Sequence, residues 1–454
     1  MVILISYCTL RKAVSYFAVV FTSMLGATFF GVSLNKIALL PIMMLLFVEL
    51  LSQKKHPIKM TSFKLCFLVF CITAALSSFV GLLDFKKATR YDLYKEILIN
   101  NGVQMFIIYV PLALLYWGSS HKKEYEHYFQ RALLITCRLQ CFWGILQFVC
   151  WSLWRLDINS VLFNDVFNGI FGTDWTVFTY ENQTLSIRLS GLTCDGAYLN
   201  VFLIIGFLIE RSKLMKGWMA LVVLLSMSRT GMVVLFLMMI LDVVLRHKRI
   251  TMKEIGRIFI CIVVTGFLFI WLYNNVDSIH YQINYALDRF KNIFSSNSYE
   301  STSVHKNYLL FLLPMFFTML NPVQYLIGTG PRTAVTTYIE FAKSHNLVYV
   351  RNYAHSLAIE CDVADLLVGN GLIGFSCYYV ILMAIFVKSG KILYKEIAAM
   401  FLLMGIMYQF NAMTFLMLFM VIALGDIEKM KKGMKLIEKG SNVSAPVFYN
   451  CSSI

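Results

Sequence analysis

Three short polar clusters break a strongly apolar chain, and their residue types suit chemistry at a phosphorylated substrate. The first is Arg188-Leu189-Ser190-Gly191-Leu192-Thr193-Cys194-Asp195-Gly196, and the second is Ser226-Met227-Ser228-Arg229-Thr230-Gly231. The third runs from Arg351-Asn352-Tyr353-Ala354-His355-Ser356 through Glu360-Cys361-Asp362-Val363-Ala364-Asp365 to Gly371-Leu372-Ile373-Gly374. Each arginine offers a planar fork of donors that matches phosphate oxygens, and two on one pocket suit a diphosphate better than a lone carboxylate. His355 is the candidate to take a proton from a hydroxyl nucleophile. Glu360, Asp362 and Asp365 could orient that histidine or hold sugar hydroxyls, with Asp195 and Arg351 beside them.

Plainer roles stand next to these. An arginine closing an apolar span also serves as an interfacial anchor, and a histidine in a loop can simply be solvated. Glu360, Asp362 and Asp365 sit at i, i+2 and i+5, so they do not share one helix face, and no metal site is expected. Gly328-Thr329-Gly330-Pro331-Arg332 could form a backbone nest for an anion, which adds Arg332 to the substrate-binding candidates. No P-loop, dinucleotide fingerprint or HExxH motif is present, and no cofactor is expected.

The elements that must hold these residues are set by composition. Of 454 residues, 59% are hydrophobic and 14% charged, and the mean hydropathy is +0.69. A soluble globule is excluded. Apolar runs of roughly 17–25 residues, long enough for a hydrocarbon core, recur from end to end. The net charge of +15 lies in short clusters between those runs, which is the pattern of membrane-helix orientation and not of nucleic-acid binding. Most of the eleven cysteines, among them Cys66, Cys71, Cys137, Cys141, Cys261 and Cys377, fall inside apolar runs as small hydrophobes. Cys194 and Cys361 could pair if oxidised. Arg11 and Lys12 precede about twenty apolar residues without a small-x-small site behind them, so the first span is expected to be retained.

Hydropathy punctuated by charge predicts an all-α, polytopic bundle of about twelve transmembrane helices with two larger external loops. The spans are expected near 13–33, 37–52, 63–83, 103–118, 132–152, 196–210, 215–228, 230–245, 257–273, 366–387, 396–411 and 412–425. This divides the chain into N-terminal helices (1–152), an external loop (153–195), central helices (196–273), a large external loop (274–365), C-terminal helices (366–425) and a basic tail (426–454). The positive-inside rule places both termini in the cytoplasm and all three polar clusters on the outer face. Residues 84–102, with Lys86, Lys87, Arg90 and Lys95, run against that rule. Tyr308 to Leu320, interrupted by Pro314, reads as an interfacial or loop-packed helix. Arg138 and Asp242 are the ionisable residues nearest the middle of a span.

At its clusters the chain resembles the O-antigen polymerase and O-antigen ligase superfamily of bacterial envelope glycosyltransferases. Ser228-Arg229-Thr230-Gly231 is similar to that group's Ser-Arg-Thr-Gly signature, and Arg188-Leu189-Ser190-Gly191 to its Arg-x-Ser-Gly. A large late loop ending in a histidine and then Gly-Leu-Ile-Gly is similar too, and the likeness spans roughly 180–390. Ligases of the group carry His-Asn before a Glu-x-Gly-x-x-Gly element, whereas His355 is followed by Ser356, which resembles the polymerase branch. The resemblance implies a lipopolysaccharide-pathway enzyme of the bacterial inner membrane, active on its periplasmic face, with Arg188, Arg229 and His355 as catalytic residues. Its substrate would be a polyprenyl-diphosphate-linked oligosaccharide, the leaving diphosphate supplying the energy, with membrane lipid, a chain-length regulator and a flippase as further partners. A ligase acting on lipid A-core and a lipid-linked oligosaccharide flippase are the alternatives.

Overall fold

The computed structural model describes residues 6–29, 32–52, 58–84, 98–168, 173–175, 189–226, 228–246, 301–345, 361–411 and 413–438, with isolated positions between 267 and 284. From the N-terminus, α1 (Tyr7–Thr22) leads through two short strands, β1 (Ala27–Phe29) and β2 (Val32–Ser33), to α2 (Leu34–Ile37), α3 (Leu40–Ser52) and α4 (Ser62–Asp84). Two π-helical turns, Ile99–Val103 and Met105–Tyr109, run into α5 (Val110–Gly118), followed by the 33-residue α6 (Lys122–Trp154). A further π-helical turn, Ser160–Val166, and β3 (Thr173–Trp175) precede α7 (Gly196–Ile209), α8 (Lys213–Leu225) and α9 (Arg229–Arg246). The C-terminal part holds α10 (Ser301–Met319), α11 (Pro322–Ile327), α12 (Ala334–Ser344), α13 (Asp362–Gly369), α14 (Gly371–Lys388), α15 (Ile392–Met404) and α16 (Thr414–Glu438). The expected span 257–273 lies almost wholly outside the described residues, as does most of 84–102.

Local chemistry explains several boundaries. Ser6 caps α1 through the Thr9 amide, Ser212 caps α8 through the Met215 amide, and Asn321 with Gln324 closes a reciprocal capping box on α11. At its other end α6 stops where Arg155 turns left-handed, at φ 53°. The three strands form one antiparallel sheet in the order β2-β1-β3, so part of the 153–195 loop is stitched to the turn after α1. This small sheet departs from an all-helical expectation, because strands of two or three residues leave no alternation for hydropathy to register.

The core explains which helices are central. α7 is apolar on every side and buries Val201 to Ile205 completely, and Phe415 to Leu424 of α16 is buried almost as thoroughly. A helix hydrophobic all round must be surrounded by protein or lipid, and here protein surrounds both. The enclosing helices turn large apolar residues outward instead: Met44, Phe47 and Leu51 on α3, and Leu65, Ile72, Leu76, Phe79 and Leu83 on α4. Such a surface belongs in hydrocarbon, and the architecture is that of a helical membrane protein.

Among the described residues, five stretches are long and apolar enough to cross a bilayer by length and composition: Leu34–Ser52, Ser62–Leu83, Ile99–Gly118, Lys122–Trp154 and Gly371–Lys388. Gly196–Ile209, Leu309–Met319 and Thr414–Ile427 are shorter apolar helices. At about 1.5 Å per residue, α7 covers only about 21 Å, less than the roughly 30 Å of a hydrocarbon core. α10 packs Leu312, Met315 and Phe316 onto α12 and α13, with Leu320 just beyond its end, while Leu310, Leu313 and Phe317 remain exposed.

Ion pairs gather at the bundle end that carries the lysine- and arginine-rich connections. Arg11 bonds Glu49 at 2.5 Å and Glu124 at 2.8 Å, and Lys391 meets Glu126 at 2.7 Å. Arg138 holds Glu210 through two bonds, of 2.7 and 3.0 Å, and these bonds above all bring that carboxyl down to about 2. Asp242 pairs with Arg246. Arg138 and Asp242, the ionisable residues singled out within spans, are therefore both engaged in structural pairs.

Candidate functional site

The sequence clusters meet at the opposite end of the bundle, around the first turn of α7. Ahead of that turn, Gly191 adopts φ +60°, and a Cβ there would lie 2.6 Å from Leu199 Cδ1 and 2.7 Å from Gln140 Oε1, so only glycine fits. Two glutamines of α6 hold this turn by its amides. Gln147 Oε1 accepts from Ser190 and Gly191 at 3.1 and 3.0 Å, and Gln140 Oε1 accepts from Leu192 at 2.8 Å. Asn159 Nδ2 donates to the Gly191 carbonyl at 2.8 Å. These three partners were not among the sequence candidates, although Gln140 and Gln147, spaced i, i+7 inside an apolar helix, are a visible signal.

Asp195 caps α7, its Oδ1 accepting from the Ala197 amide at 2.7 Å. One turn on, Asn200 donates through Nδ2 to Ser226 Oγ at 2.9 Å and faces the turn between α8 and α9. There Ser228 Oγ accepts from the Gly231 amide at 3.3 Å, as an N-cap does for the third helical residue. A Cβ on Gly231 would come within 1.9 Å of Asn200 Nδ2. In Ser-Arg-Thr-Gly the serine and glycine are thus explained by the fold. As first residue of α9, Arg229 sets a cation against the positive end of a helix, an arrangement that costs about 0.3–1 kcal/mol unless an anion is present.

On the other side of α7, Tyr198 donates to the Gln409 carbonyl at 2.7 Å, which brings in the α15–α16 connection. Asp362 anchors that connection. Its Oδ1 accepts from the Phe410 and Asn411 amides at 2.7 and 2.8 Å, and its Oδ2 from the Tyr378 hydroxyl at 3.2 Å. Complete burial pushes the Asp362 carboxyl up to about 8, against the opposing pull of those two amides. Asp365 accepts from Asn411 Nδ2 at 2.7 Å, and burial raises it too, opposed by Asn411 and Arg332.

Arg332 stands at the centre of this group, within electrostatic reach of Asp365, Cys194, Tyr198 and Lys36. Its loop is not an anion nest. The Thr329 and Gly330 amides donate to the Val368 and Gly369 carbonyls at 3.0 and 2.8 Å, so the loop is a strut pinned to α13. Buried polar atoms without a partner among the described residues concentrate here: Arg332 Nε, Asp365 Oδ1, Gln409 Nε2, Asn411 Oδ1 and both side-chain ends of Asn370. Behind the 189–195 turn lies an apolar cavity of about 410 Å³, walled by Phe21, Met24, Leu34, Trp143, Phe163 and Leu192 among others.

Of the residues predicted from sequence, Asp195, Arg332, Asp362 and Asp365 are brought together, and Arg229 opens the helix across α7 from them. Arg188, Arg351, His355 and Glu360 lie outside the described residues, as does the Arg229 side chain. Cys194 and Cys361 are free thiols.

Asp362 gives a stability test. Asp362→Ala strands two buried amides at about 1–3 kcal/mol each, whereas Asp362→Asn keeps an oxygen for them. Because the folded carboxyl titrates near 8 and an ordinary one at 3.8, the folded chain holds the proton more tightly between those values. Stability therefore falls as pH rises through that window. Melting curves should show a lower midpoint for Asp362→Ala throughout and a flatter pH dependence for Asp362→Asn. An Asp362→Asn profile as steep as wild type would contradict this assignment.

A comparison with curated proteins gives no match for the chain. Residues 214–379, which include Ser-Arg-Thr-Gly, Arg332, the two buried aspartates and Gly-Leu-Ile-Gly, match the family model described as O-antigen ligase. That stretch is similar to O-antigen-ligase domains, which is consistent with the O-antigen polymerase and ligase superfamily and with a membrane glycosyltransferase.

Proposed function

We propose that the protein is a surface-polysaccharide polymerase, joining polyprenyl-diphosphate-linked repeat units on the outer face of the cytoplasmic membrane. The match over 214–379 supports the glycosyltransferase class that polymerases and ligases share, and Ser356 after His355, where ligases carry His-Asn, supports the polymerase. The twelve-span arrangement with both termini inside goes with it and puts the Arg229 end of the bundle outside. In the reaction, the bond from the donor's anomeric carbon to its diphosphate breaks and its electron pair leaves with the phosphate. A hydroxyl of the acceptor glycan forms the new glycosidic bond and gives its proton to His355. Arg188 and Arg229 neutralise the charge growing on the departing diphosphate. The apolar cavity beside the 189–195 turn suits part of a polyprenyl chain.

A ligase is the second reading, favoured by the description of the matching family. A flippase gains no support, because Arg138 and Asp242 are spent on structural ion pairs. Lipopolysaccharide from a deletion strain separates the first two: core bearing a single repeat unit is expected, and bare core would replace polymerase by ligase.

A further inference from the structure

We propose that Lys36 and Arg332 form a second phosphate subsite, which holds the diphosphate of the acceptor lipid while the Arg229 side of α7 holds that of the donor. This rests on the polymerase reading. Such a reaction needs two anion sites, because one diphosphate departs and the other stays on the acceptor, whereas transfer to a different kind of acceptor needs one.

Arg332 is a non-glycine residue at φ 65°, held there by the strut to α13. Such a conformation is strained and persists where the surroundings impose it. Its guanidinium makes no ion pair among the described residues, and Nε is buried without a partner. Lys36, from α2, directs Nζ to the Asn100 carbonyl at 2.9 Å and to Gln104 Oε1 at 2.5 Å, which leaves one donor for a ligand. It too has no carboxylate in ion-pair contact among the described residues. Gly330 lies against Leu98, and Lys36 bonds the Asn100 carbonyl two residues on, so two half-buried cations from distant parts of the chain lie near one another, and their repulsion is relieved when an anion lies between them.

The nearby carboxylates are committed elsewhere. Asp195 caps α7, and Asp365 serves Asn411. The two proposed anion sites flank the start of α7, since Tyr198 looks towards the 409 connection and Asn200 towards Ser226 and Gly231. One helix, about 10–12 Å across, separates them. That spacing admits two lipid head groups side by side.

The test uses the full-length protein in nanodiscs, with farnesyl diphosphate as the binding probe. Wild type should bind two equivalents and Lys36→Gln/Arg332→Gln one, with Lys36→Arg retaining two as the control for folding. In a transfer assay, lipid-linked repeat units from a deletion strain are donors, and the acceptor is either the same lipid-linked unit or the lipid-free oligosaccharide. The double variant should lose the preference for the lipid-diphosphate acceptor by about 10- to 100-fold, the worth of one or two charged phosphate contacts. A single site in wild type, two sites in the double variant, or an unchanged preference would each overturn the proposal. No transfer by wild type to either acceptor would overturn the transferase reading, and the assignment of this subsite to an acceptor with it.

Discussion

Arg229→Lys should lose nearly as much polymer-forming activity as Arg229→Ala, with both falling about 10²–10³-fold, the usual effect of removing a donor from a developing oxyanion. Lysine keeps the charge but not the planar fork, so the comparison isolates bidentate phosphate recognition from simple attraction. The fold sharpens this expectation. Ser228 caps α9 and Gly231 makes room for Asn200, so neither variant disturbs the contacts that form the turn. A cation at the start of a helix is slightly unfavourable, and its removal should leave stability unchanged or improved. Full activity of Arg229→Ala at normal expression would reduce the residue to an interfacial anchor.

His355→Ala should lower turnover by about 10²–10⁴ while leaving lipid-linked donor bound, because a general base acts mainly in the transition state. The competing base is acidic. Asp362 is unsuited to that part, since both its oxygens are occupied by Phe410, Asn411 and Tyr378, and Asp362→Asn is expected to change turnover little. Glu360 is the rival that remains, and a Glu360→Gln defect deeper than that of His355→Ala, measured in one assay with purified protein, would transfer the role to it.

Much of the bundle is legible in the sequence because apolar length is a one-dimensional signal. Its boundaries are less so. The reading 132–152 starts well inside α6, which begins at Lys122, because Glu126 is buried against Lys391 and Tyr394, partners more than 260 positions away. The two π-helical turns before α5 likewise have no periodicity that marks them. At the site, Asp195 and the Ser-Arg-Thr-Gly turn are readable, since capping and tight turns are local. The union of Asp362 with Asn411, and the approach of the Gly330 loop to Leu98 beside the Lys36–Asn100 bond, depend on which helices pack together, and no spacing in the chain reports them.

The most direct measurement is product length from purified wild-type protein supplied only with lipid-linked repeat units extracted from a deletion strain. A ladder of lipid-linked glycans, each longer by one repeat unit, formed without nucleotide sugar and with release of polyprenyl diphosphate, is the predicted result. Units that stay single until lipid A-core is added, and are then transferred to it, would contradict the polymerase account.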